Sequence, residues 1–160
     1  MKTIFFLAFM LLSNLVFSQT RIATPELAPF AGTWEYTGNN QTFRIELKLE
    51  TLEESGVALD VLQGRLIYSA DNKVVQNTMD SSKPNILNGV LADKTASVSK
   101  VRFFFIDIVK GKSGRGFMEL MPGSNDKLLW TLKNGEIISF GEKVDYDFSV
   151  PVKATLRKIK

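Results

Sequence analysis

From Phe43 to Glu50 the chain alternates without a break: Phe43, Ile45, Leu47 and Leu49 fall on one side, Arg44, Glu46, Lys48 and Glu50 on the other. A period of two sorts side chains onto the faces of a half-buried strand, whereas a helix would spread the same four apolar residues around its circumference. In the segment before it, Phe30, Gly32, Trp34 and Tyr36 share one parity, which aims Trp34 at the core. Gly38-Asn39-Asn40 between the two supplies residues that tolerate a positive φ, and the stretch reads as a hairpin.

The rest of the chain repeats this unit less cleanly. Thr51 to Gly56 reads as a polar loop. Val57, Leu59 and Val61 share one parity and Leu62, Gly64, Leu66 and Tyr68 the other, which predicts a bulge or break near Gln63-Gly64, with a helical turn over Leu59 to Leu62 as the alternative. Ala70-Asp71-Asn72-Lys73 is a turn by composition before a short strand at Val74 to Thr78, and Met79 to Asn85 reads as a long loop. A strand at Ile86 to Ala92 and a loop at Asp93 to Ser99 lead to Val101 to Val109, which is apolar on both faces and so calls for something to cover its outer side. Gly111 to Gly116 reads as a hairpin loop before a strand at Phe117 to Met121, and Pro122 to Asp126 as a turn. Leu128, Trp130 and Leu132 form the more apolar face of the next strand, and Asn134-Gly135 predicts a hairpin into Glu136 to Phe140. A last strand at Phe148 to Arg157 has Val150, Val152, Ala154 and Leu156 inward and Pro151 marking an edge or end position. The expectation is an all-β fold: an antiparallel meander of about eight to ten strands, closed as a barrel or flattened sandwich.

The first residues stand outside this pattern. Lys2, an apolar run over Ile4 to Phe17 and small residues at the end of Val16-Phe17-Ser18 describe a secretory signal peptide cleaved after Ser18. The run is shorter than the ~20 apolar residues that span a bilayer, so no transmembrane segment is expected in the mature chain. Residues 19–29, with two prolines, read as an extended lead-in, and residues 30–160 as a single barrel-like domain. The expected location is periplasmic, cell-surface or secreted. With no cysteine anywhere, the protein is not expected to be a lipoprotein, and the fold must rest on its apolar core.

Composition removes most chemistries. There is no histidine and no cysteine, which excludes Ser-His-Asp triads, thiol nucleophiles and the usual zinc sites. Twenty Lys and Arg are spread among 17 Asp and Glu, so no basic run marks a nucleic-acid partner. Gly111 to Gly116 lacks the order of a phosphate loop, and Asp71-Asn72 and Asn125-Asp126 are too short for a calcium loop. No cofactor and no metal are expected. Asp107, on the side of Phe103 and Phe105, and Glu119, on the side of Phe117 and Met121, are the carboxylates to examine for acid-base work. Asn40-Gln41-Thr42 matches the N-glycosylation triplet, relevant only in a eukaryotic host.

Gly32-Thr33-Trp34 resembles the Gly-x-Trp signature of the calycin barrels, the lipocalins and avidins, over Phe30 to Leu49. That resemblance implies an up-and-down barrel plugged at one end by Trp34. Many lipocalins place an arginine late in the last strand over the tryptophan; Arg157 is the candidate here, and its parity sets it on the outer face. The fuller pattern, with Gly-Thr-Trp-Glu-Tyr early and Val-Pro-Val-Lys-Ala-Thr-Leu-Arg-Lys-Ile late, is similar to a family of small exported bacterial proteins of unknown function. Two functions remain in view. One is a lipocalin-like binding protein without catalysis, holding a small hydrophobic or amphipathic ligand against Trp34, Tyr36, Phe43, Ile45, Phe103, Phe105 and Trp130. The other is a solid barrel that meets a protein or glycan through its surface. An enzyme ranks third.

Overall fold

The computed structural model describes residues 20–80, 82–92, 100–134 and 147–160. The signal-peptide reading, the loop at 93–99 and the hairpin partner at 136–140 lie outside these residues. Among the described residues ten strands form one sheet: β1 (Thr20–Ile22), β2 (Gly32–Gly38), β3 (Gln41–Glu54), β4 (Val57–Ala70), β5 (Lys73–Asn77), β6 (Leu87–Leu91), β7 (Lys100–Asp107), β8 (Lys112–Leu120), β9 (Lys127–Asn134) and β10 (Lys153–Lys158). Each of eight strands, β2 to β4 and β6 to β10, pairs antiparallel with its neighbour, β10 returning to β2 and β6 to β4. The sheet is therefore a closed eight-strand barrel in up-and-down order.

Strand β4 makes the closure. One edge follows β3 along its whole length, from Gln41↔Ala70 to Glu54↔Val57. Its other edge is shared: β1 pairs parallel at Val57 to Leu59, β6 antiparallel at Leu62 to Gly64, and β5 antiparallel from Ile67 to Ala70. Only the β6 pairing belongs to the ring.

The unbroken β3–β4 register removes the bulge expected at Gln63-Gly64. Even-numbered residues of β4 face inward from Ala58 to Tyr68, and the apparent change of parity arises because that inward row includes a carboxylate, Asp60. Nor is Thr51 to Gly56 a loop: β3 runs on to Glu54, and its last residues are polar because they are exposed beyond the barrel wall. The turn is confined to Ser55 and Gly56, both at positive φ.

The lead-in is extended only in its first part, as β1. After β1 a 3-10 helix spans Pro25–Phe30, and Leu27 and Phe30 are wholly buried in the main core. Trp34 donates its Nε1–H to the Phe30 carbonyl at 2.8 Å, so the buried indole satisfies its polar edge on the helix. Gly32 stands where a Cβ would lie 2.4 Å from the Lys160 carbonyl oxygen, because the chain's end crosses it: Thr33 N–H donates to Lys160 O, and Ile159 N–H to Thr33 O. The first and last strands of the ring, β2 and β10, thus meet at the Gly-Thr-Trp segment.

Gly114 and Gly116 lie within β8 and face inward, not in a hairpin loop. A Cβ at Gly116 would approach the Thr131 carbonyl oxygen to 2.2 Å and Phe103 Cζ to 2.4 Å. These glycines make room for aromatic rings, a reason that turn composition does not distinguish. In the last segment the strand begins at Lys153, after Pro151, and Val152 is exposed while Val150, Ala154 and Leu156 are buried. Pro151 precedes an interior strand of the ring, where its missing N–H breaks no ladder.

Truncating Trp34 to alanine should lower unfolding stability by ~3–5 kcal/mol, and Gly116→Ala by ~1–3 kcal/mol through overpacking. Chemical denaturation checks both. An unchanged midpoint for either would contradict the packing described.

Candidate functional site

The inward row of the barrel brings most of the expected aromatic residues into contact. Trp34, Phe43, Ile45, Phe105 and Trp130 are wholly buried and Phe103 almost so. Trp130 is the hub. Phe103 stacks on it with centroids 4.3 Å apart, Phe43 meets it edge-on at 5.3 Å and Phe105 at 6.1 Å. Tyr68 extends the cluster beyond Phe43, and Phe148 beyond Phe105, each at 6.1 Å. The indole N–H donates to the Pro151 carbonyl at 2.8 Å. With rings in van der Waals reach on three sides, the centre of the barrel is occupied by its own side chains.

Tyr36 is different. It opposes Phe43 in register but is only half-buried, and it lines an outer groove of about 380 Å³ with Glu35, Thr37, Met121, Lys127, Thr155 and Arg157. Two further grooves also lie outside. One of about 100 Å³ is lined by Glu46, Lys48, Glu50, Gln63, Arg65 and Asn85. The other, of about 250 Å³, surrounds the tips at Gly38 to Thr42, Ser69 and Asn72.

Lys158, not Arg157, lies over Trp34. Its Nζ sits 5.1 Å from the indole centroid and donates to the Pro29 carbonyl at 3.1 Å. Arg157 is exposed, opposite Glu35. The expected pattern looked for an arginine and so passed over the lysine one position later.

The two carboxylates proposed from parity separate. Glu119 faces outward, half-buried, and pairs with Lys100 at 3.6 Å; its inward neighbours in β8 are Met118 and Leu120. Asp107 is fully buried, as its parity implies. Its Oδ1 accepts from the N–H groups of Val109 (3.1 Å) and Lys110 (3.0 Å), its Oδ2 from Ser149 N–H (2.6 Å), and the Ser149 hydroxyl lies 2.7 Å from Oδ1. A carboxylate with its lone pairs so engaged holds the turn after β7 against the segment before β10. Wholly buried, the carboxylate meets backbone N–H groups and the Ser149 hydroxyl instead of solvent.

Gln76 completes this node. Its Oε1 is 2.9 Å from Ser149 Oγ, while its buried Nε2 finds no partner among the described residues. The single hydroxyl proton of Ser149 serves Asp107, and exchanging the two ends of the amide would let Nε2 donate to Ser149 Oγ.

A second carboxylate, Asp60, ties the N-terminal segment to the β3–β4 hairpin. It accepts from Thr24 N–H at 3.0 Å and from the Thr51 hydroxyl at 2.9 Å, with Arg21 3.8 Å away. The Thr24 N–H, then the Thr51 hydroxyl, hold its carboxyl below the ordinary value of 3.8, outweighing burial, with Arg21 adding a smaller pull. Sequence inspection missed Asp60 because it sits where the alternation looked apolar. Among the described residues no three His, Cys, Asp or Glu converge as a metal site.

A family model matches residues 1–159. The chain belongs to DUF6705, a family of unknown function. No curated protein and no solved structure matches it significantly.

Because Asp60 binds its proton less readily folded than unfolded, it adds stability above the unfolded value, and that stability is lost as pH falls below 3.8 through the folded value. Denaturation midpoints measured from about pH 6 to about pH 2 should therefore fall less steeply at the acid end for Asp60→Asn than for the wild type. Parallel curves would show that Asp60 is not held in this way.

Proposed function

We propose that the protein is an exported, non-catalytic β-barrel whose interior is structural and whose function is carried on its outer surface, as an interaction module. The observation that supports this most is the ring cluster on Trp130, with Phe103 stacked at 4.3 Å. A small ligand needs concave space lined by apolar groups. Here the residues that would line it are in contact with one another. Export rests on the signal-peptide pattern of residues 1–18. The up-and-down ring, with Trp34 sealed by the helix before β2 and crossed by Lys158, supports a lipocalin-like ancestry for the scaffold without requiring a lipocalin's cavity.

The absence of catalysis is supported by the two buried carboxylates. Asp107 and Asp60 are both committed to backbone N–H groups, and the sequence holds no histidine or cysteine to act with them.

Titration of the mature protein with fatty acids, sterols and hydrophobic dyes should leave tryptophan emission and melting temperature unchanged. A saturable change in emission accompanied by a higher melting temperature would return the assignment to an interior ligand-binding protein.

A further inference from the structure

The strand with two apolar faces leaves one of them uncovered among the described residues. Phe104, Ile106, Ile108 and Val109 are 42, 40, 48 and 52 % exposed. Phe104 and Ile106 stand on the outer face of β7, and Ile108 and Val109 form the turn that follows. That turn is not loosely held, since the buried Asp107 accepts from the N–H groups of Val109 and Lys110. The fold therefore presents an apolar tip in a fixed shape.

Cations surround this stripe, brought together by register. Across the outer face Phe104 opposes Arg115, which opposes Lys133. In the adjacent row Arg102 opposes Phe117, then Thr131, then Lys153. On the other side Phe104 meets Asn88 of β6, and towards β8 Ile106 opposes Ser113. Neither row contains a carboxylate; Glu119 lies one row further on and is paired with Lys100. Arg102, Arg115, Lys133 and Lys153 are exposed, and none is in a salt bridge among the described residues. The four come from β7, β8, β9 and β10, so no run of charge announces them in the sequence.

We infer that this outer face of β7 to β10, led by the turn at Ile108 and Val109, docks on an anionic phospholipid surface. Clustered Lys and Arg side chains are drawn to the negative headgroup layer, and adjacent aliphatic and aromatic groups bury in the boundary beneath it. A nucleic acid strand or other soluble polyanion would use the cations and could stack on Phe104 and Phe117, but it offers nothing to Ile106, Ile108 and Val109. An exposed patch in which aliphatic side chains lead and cations flank fits a bilayer better. The inference rests on the reading that the partner is met on the outside.

Co-sedimentation of the mature chain with vesicles tests it, using phosphatidylcholine alone and phosphatidylcholine mixed with phosphatidylglycerol. Binding is expected only to the mixed vesicles and should weaken as salt is raised. The double variants Phe104→Ser/Ile108→Ser and Arg115→Ser/Lys133→Ser should each lose roughly tenfold in affinity, with melting temperatures near the wild type because all four side chains are exposed. The variants share one N-terminus, so a difference between them reads this face alone. If the apolar pair does not fold, the charge pair and the salt series decide. No sedimentation, sedimentation that neither pair alters, or binding to single-stranded DNA as tight as to vesicles and insensitive to the apolar pair would each overturn the inference. Failure of the filled-barrel reading would instead appear as a change in tryptophan emission on adding dissolved fatty acid without vesicles.

Discussion

An eight-strand ring encloses a space just wide enough for side chains to fill, and everything else in this protein follows from filling it around Trp130. Phe103 stacks on the indole, and Phe43 and Phe105 close it edge-on. Rings need room in the wall, which is why β8 carries Gly116 under Phe103 and Gly114 under Phe148, both facing inward. The same demand shapes the ends. The 3-10 helix inserts Leu27 and Phe30 at the core and receives the Trp34 N–H, and the last residues of the chain cross Gly32 to lock β10 against β2. Without a disulfide, this packing and the closure of β4 on β6 hold the barrel shut.

Polar groups in such an interior cost free energy unless they are bonded, and the buried carboxylates show how the cost is met. Asp107 and Asp60 each accept from backbone N–H groups of segments far away in sequence. Asp107 joins the turn after β7 to Ser149, and Asp60 joins the N-terminal segment to the projecting β3–β4 hairpin. Their chemistry is that of clasps. A buried acid in a barrel invites a catalytic reading, and here each one is bonded to the backbone of a segment that it helps to hold in place.

Much of the architecture was legible because alternation is a strong signal wherever one face is dry. The β2–β3 hairpin, the inward aim of Trp34 and Trp130, and the burial of Asp107 follow from parity alone. The failures share a cause. At Asp60 a charged residue occupies an inward position, and a reading that equates inward with apolar invents a bulge. At Gly114 and Gly116 close packing of rings and turn chemistry call for the same residue. In the last strand, Val152 looks inward by parity but precedes the strand and points to solvent. Glu119 does share its face with Phe117 and Met121, but that face is the outer one, and the apolar company does not reveal it. The stripe at Phe104 to Val109 was visible as a second apolar face. Its cationic border was not, since register, not sequence, assembles Arg102, Arg115, Lys133 and Lys153.

The proposal that function lies on the outside rests on a barrel filled by its own rings, so the state of the interior is the central claim. The most direct test compares the wild type with Phe103→Ala in thermal denaturation, each with and without saturating benzene or indole. A filled interior predicts a wild type indifferent to the added ring, and a variant destabilised by ~3–5 kcal/mol that regains part of the loss when the ring enters the cavity. A wild type stabilised by benzene or indole as much as the variant would show that the space beside Trp130 is already open, and would contradict the account.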